Sequence, residues 1–102
     1  MWMSYMRHVL SLLSGVEDAA VRADVVRTVE FLRLVYITGR VPEEEIFNDL
    51  VELFRDLLLQ KHPELTVEEA TEKAREVAGE LIREWRIGFR LRVAMERYGG
   101  RS

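Results

Sequence analysis

Five arginines, Arg83, Arg86, Arg90, Arg97 and Arg101, recur near the C-terminal end of the chain at intervals of three, four, seven and four residues. At 100° per residue they share an arc of roughly 60° on a helix. Guanidinium groups in a line recognise carboxylates or phosphates bidentately, so the chemistry they offer is anion recognition. No acid shares that line beyond Glu76. The helix is therefore expected to look elsewhere for counter-charge: to another helix, a second copy of the chain, or a polyanion. The rest of the chain is poor in catalytic residue types. His8 and His62 are the only histidines, and cysteine is absent. Disulfides, iron–sulfur clusters and thiolate zinc sites are thereby excluded. Neither histidine has the Glu-x-x-His spacing of carboxylate-bridged metal bundles. Glu69-x-x-Glu72 supplies half of the acidic motif of the all-α nucleotide pyrophosphatases, but no aspartate follows Asp56. No cofactor is expected.

Four helices must position these groups, all within one domain, 1–102. The first, over residues 2–13, spaces Trp2, Tyr5, Met6, Val9, Leu10 and Leu13 along one face. Ser14 with Glu17 reads as a capping box opening the second, whose core side is Val21, Val25, Val29, Leu32, Val35 and Tyr36 and whose terminator is Gly39. Pro42 at the first helical position, followed by Glu43, Glu44 and Glu45, opens the third with the charge its dipole favours. That helix would bury Ile46, Phe47, Leu50, Val51, Phe54, Leu57 and Leu58 and stop at His62-Pro63. Thr66 with Glu69 caps the fourth, which runs to Tyr98 before Gly99-Gly100. Its core stripe is Val67, Ala70, Ala74, Val77, Ala78, Leu81, Trp85 and Gly88. The fold class is all-α: a short N-terminal helix, two of middle length and one long C-terminal helix.

Helix three, about 21 residues, would be roughly 31 Å long, and helix four, about 32 residues, roughly 48 Å. In an αα-hairpin they stay side by side only to about Arg83, and the remainder of helix four overhangs. Its apolar residues spread around the helix there, as expected of a segment surrounded by protein. Residues 85–93 also alternate apolar and polar, so a basic strand pairing with its twin in a dimer is a rival. The acids Glu45, Asp49, Glu52 and Asp56 form a second line on helix three, out of register with the arginines in a simple hairpin. Residues 43–72 carry ten acids and two bases, and residues 81–102 carry six arginines and two acids.

The expected function is a non-enzymatic interaction module, as a homodimer or with a helical protein partner. Helix four over 85–98 would be the interface, with Trp85, Phe89, Leu91 and Met95 as its apolar part. Arg86, Arg90 and Arg97 would set register against Glu45, Asp49 and Glu52. The alternative is nucleic-acid binding through Arg83, Arg86, Arg90, Arg97 and Arg101, less favoured because the net charge is −3 and such domains are typically basic. A third reading rests on Arg55-Asp56 followed by His62. This resembles the Arg-x(4–6)-His motif of HEPN-type ribonucleases, small all-α dimers. The resemblance implies an RNA-cleaving site built from Arg55, Asp56 and His62 across a dimer. The chain departs from that pattern at His62-Pro63, which ends the helix at the motif.

Thirteen arginines against two lysines, one Asn and one Gln fit a thermophilic source. Residues 1–15 are apolar but interrupted by Arg7 and His8, which does not read as a signal peptide. No apolar run is long enough to span a membrane, and a cytoplasmic location is expected.

Overall fold

The computed structural model describes residues 5–99. Trp2, the Tyr5 side chain and Arg101 lie outside the described part. The chain is all-α: α1 Tyr5–Leu13, α2 Ala19–Thr38, α3 Glu43–Lys61 and α4 Val67–Ala94, with a single π-helical turn over Met95–Gly99. Among the described residues there is no strand, and residues 85–93 belong to α4. The strand alternative is thereby corrected: the buried stripe Ala70, Ala74, Ala78, Leu81 and Trp85 continues at helical spacings of three and four residues.

Most helix ends follow from the local sequence. Gly39 takes a left-handed φ of 70° and its N–H donates to the Tyr36 carbonyl, closing α2. His62 caps α3 by donating its N–H to the Leu58 carbonyl at 2.8 Å. At α4 the capping box is complete: Glu69 N–H donates to Thr66 Oγ1 at 3.1 Å and Thr66 N–H to Glu69 Oε1 at 2.9 Å. Pro42 sits one place earlier than expected, as the N-cap itself, where its missing N–H costs nothing.

The start of α2 differs from the sequence reading. Ser14 is not its cap. Gly15, at φ 88°, turns the chain out of α1, and the helix waits for Asp18, whose Oδ1 accepts from Ala20 N–H at 2.9 Å and Val21 N–H at 3.4 Å. A carboxylate facing the helix N-terminus is the stronger acceptor. α4 likewise ends at Ala94 rather than Tyr98, and its last residues widen into the π turn.

The core is built on the α3–α4 hairpin. Ala70, Ala74 and Ala78 are fully buried at i, i+4 spacing, a seam of small residues against which the large α3 side chains Ile46, Leu50 and Phe54, also buried, interdigitate. α2 adds Val25, Val29 and Leu32, and α1 adds Met6, Val9, Leu12 and Leu13. Leu10, expected on the inner face of α1, is instead 58% exposed. Its neighbour Leu12 is inside, because the two lie roughly 200° apart on the helix. Polar contacts fasten α1: Lys61 Nζ donates to the Leu12 carbonyl at 2.8 Å, and His8 Nε2 lies 3.7 Å from Glu84 Oε2.

The length mismatch sets the shape. At 1.5 Å per residue, α3 with its 19 residues spans roughly 28 Å and α4 with 28 residues roughly 42 Å. The molecule measures 56 × 26 × 18 Å. Trp85 is the last buried residue of α4, Phe89 is half-buried, and 90–99 are all exposed.

Candidate interaction surface

The first residue of α3 reaches the arginine line. Arg86 grips Glu43 with two donors, Nη2 to Oε1 at 2.6 Å and Nε to Oε2 at 3.4 Å. Tyr36 at the end of α2 donates its hydroxyl to Glu43 Oε2 at 3.1 Å. The Tyr36 ring also lies against the indole of Trp85, centroids 5.9 Å apart and planes at 53°. Three helices thus meet on one carboxylate at the point where the overhang begins.

The electrostatics agree with this geometry. The hydrogen bonds from Arg86, helped by that from Tyr36, hold the Glu43 carboxyl below the usual glutamate range against its partial burial. Burial, and then the bond to the Glu43 carboxylate, push the Tyr36 phenol up, so it remains a donor. Both oxygens of Glu43 are engaged. The cluster is a clamp that ties α2 and α4 to the first residue of α3.

Of the counter-charges expected for the line, an acid of another helix serves one arginine, Arg86, through Glu43, which lies outside the Glu45–Asp49–Glu52–Asp56 line. Arg86 is paired within the chain. Arg83 lies 3.9 Å from Glu80 one turn back, and the Arg97 guanidinium rests 5.9 Å over the Tyr98 ring. Arg90 is exposed, and no described residue forms an ion pair with it. The line is therefore broken at its centre. Trp85 is corrected too: at 5% exposure it is core and cannot present a surface. Phe89 is half-buried, whereas Leu91 and Met95 are 62% and 70% exposed, joined by Ile87, Val93 and Tyr98. The acids Glu45, Asp49 and Glu52 are exposed on α3, and no described cation pairs with them.

The residues of the ribonuclease-like motif are each engaged locally. Arg55 donates through Nε and Nη2 to Asp56 Oδ1, both at 3.2 Å, and His62 Nδ1 lies 3.5 Å from Glu64 Oε2. Among the described residues no group of acids and histidines is arranged to hold a metal ion, and no helix is long and apolar enough to cross a membrane.

Compared with known proteins, the chain matches no protein-family model, no curated protein and no solved structure.

Proposed function

We propose that this chain is a non-enzymatic helical interaction module that self-associates through the overhanging end of α4. The observation that carries the reading is the strip of exposed Ile87, Leu91, Met95 and Tyr98, within an arc of roughly 80°, beyond Trp85, the last buried residue of α4. An apolar helical surface of that extent, rimmed by arginines, has the character of an interface. A second copy fits it because the chain holds its own counter-charge: Glu45, Asp49 and Glu52 are exposed and unmatched among the described residues, as is Arg90. Arg90 and Arg97 would set register there, with Phe89, Leu91 and Met95 beneath. Arg86 and Trp85 support the helix from inside the chain. The residue usage and the absence of cysteine suit a cytoplasmic protein of a thermophile. The test is solution mass by light scattering across micromolar concentrations, where association is expected. A strictly single-chain mass would overturn the reading. Use of the same arginines on nucleic acid would instead show as retention at about 50 mM salt that falls steeply as salt rises.

A further inference from the structure

Away from the α4 overhang, the large apolar side chains exposed among the described residues are Leu10, Phe31, Leu34 and Val67. Leu10 stands singly on α1, and Val67 opens α4 at the closed end of the hairpin. Phe31 and Leu34 are neighbours, 63% and 55% exposed. They lie roughly 60° apart on the side of α2 turned from its buried Val25, Val29 and Leu32.

The Glu43 clamp fixes their height in the molecule. Tyr36 and Arg86 both bond to Glu43, so residues 36, 43 and 86 stand near one level, the open end of the α3–α4 hairpin. Followed back from Tyr36, α2 descends toward the closed end, where Lys61 holds the end of α1. At 1.5 Å per residue, Leu34 and Phe31 lie roughly 3 and 8 Å below that level, and Met95 and Tyr98 roughly 14 and 18 Å above it. A two-fold axis crossing the molecule roughly 5 Å above the level therefore aligns two pairs at once. Met95 of each copy comes beside Leu34 of the other, and Tyr98 beside Phe31, with the overhang and α2 antiparallel.

The areas favour this pairing over one between the two overhangs. Ile87, Leu91, Met95 and Tyr98 on the overhang and Phe31 and Leu34 on α2 are 49–70% exposed. A whole buried aromatic covers about 150–250 Å², so each of the six exposes on the order of 100 Å². Two copies then offer about 1,200 Å², where stable two-chain interfaces begin. Overhang against overhang would offer only about 800 Å², the size of an incidental contact.

We propose that the Phe31–Leu34 face of α2 seats the α4 overhang of a second copy, in a two-fold pair that makes the contact twice. This rests on the overhang being a self-association surface, and it names the surface the overhang meets.

The chain has no cysteine, so introduced thiols report the contact without background. A disulfide forms only where Cα atoms come within about 7 Å. Mixing the Met95→Cys and Leu34→Cys variants under mild oxidation is therefore expected to give the mixed linked pair in excess of both like pairs combined. Val93→Cys, roughly 160° round the overhang from Met95, is expected not to link to Leu34→Cys. Phe31→Glu with Leu34→Glu is expected to halve the mass by light scattering and to leave single-chain melting unchanged, both residues being exposed. Equal linkage from Met95→Cys and Val93→Cys, an excess of like Met95→Cys pairs, or a mass indifferent to the α2 changes would each overturn the proposal. Leu91→Glu with Met95→Glu separates its failure from that of the overhang reading. If that variant falls to the single-chain mass while the α2 changes do nothing, the overhang reading stands and the α2 seat fails. A single-chain mass for the unaltered chain overturns both.

Discussion

Leu91→Ala isolates what the overhang does, because Leu91 is 62% exposed on a segment whose neighbours 90–99 are also exposed. Within one chain the substitution removes little buried area, and alanine is the better helix former. The melting temperature extrapolated to low concentration should therefore hold or rise slightly. In the associated state the accounting reverses. Fully burying a leucine is worth about 1.5–3 kcal/mol, and with 62% of the residue still exposed roughly 1–2 kcal/mol of that remains to be gained on association. A two-fold contact uses the residue twice, so the loss is roughly 2–4 kcal/mol, a weakening on the order of 30- to 1000-fold. A dilution series by sedimentation velocity measures it, with thermal melts on the same samples. An unchanged dissociation constant, or a drop in single-chain stability of the size expected for a core leucine, would refute the assignment of this surface.

Trp85→Ala should behave oppositely, since the indole is core: a loss of about 3–5 kcal/mol of folding stability, read by urea denaturation. A loss confined to association would return Trp85 to the interface. Glu43→Gln should lower stability at neutral pH. Because the folded carboxyl lies below its unfolded value, the wild-type advantage is present above the ordinary glutamate range and vanishes as pH falls through the folded pKa; an advantage surviving in strong acid would contradict the clamp. Tyr36→Phe probes the alkaline side. The raised phenol pKa contributes stability below the ordinary tyrosine value near 10 that is lost as pH rises through the folded value, so the phenylalanine variant should show a flatter alkaline decline in melting temperature. Asp18→Ala should cost about 0.5–2 kcal/mol as a lost N-cap, where Ser14→Ala should cost almost nothing; equal costs would reinstate Ser14.

Helix identities were legible because periodicity and punctuation agreed. Ala70, Ala74, Ala78, Leu81 and Trp85 mark one face of α4, and Thr66 with Glu69 marks its start. The Ser14–Glu17 capping signal misled because pattern alone does not register that Gly15 is needed to leave α1. Glu43 was visible as a residue favourable to a helix dipole. Its second role was within reach: the hairpin that sets position 45 near 82 also sets 43 near 84, one short step from a long arginine side chain. Tyr36 carried no such signal. Its approach to Glu43 and Trp85 depends on how α2 lies across the hairpin, which the spacing of its own residues does not encode. The exposure of Phe31 and Leu34 on α2 was missed for a related reason. A helix with apolar residues on two sides shows a blurred period, and only the fold tells which side the core has taken.

The clamp on Glu43 also divides α4 into two thermodynamic regimes. Up to Trp85 the helix is nucleated and held by tertiary packing. Beyond Arg86 it is extended residue by residue from that packed stem. Nucleation is the costly step of helix formation, with an equilibrium factor of about 10⁻³, whereas elongation proceeds near unity. Gly88, at roughly 1 kcal/mol worse than alanine, and the β-branched Ile87 and Val93 keep elongation close to that balance. The arm is thus kept helical by its stem at small net free energy. A partner that covers it has no nucleus to create, and one that leaves has no deep helical minimum to overcome.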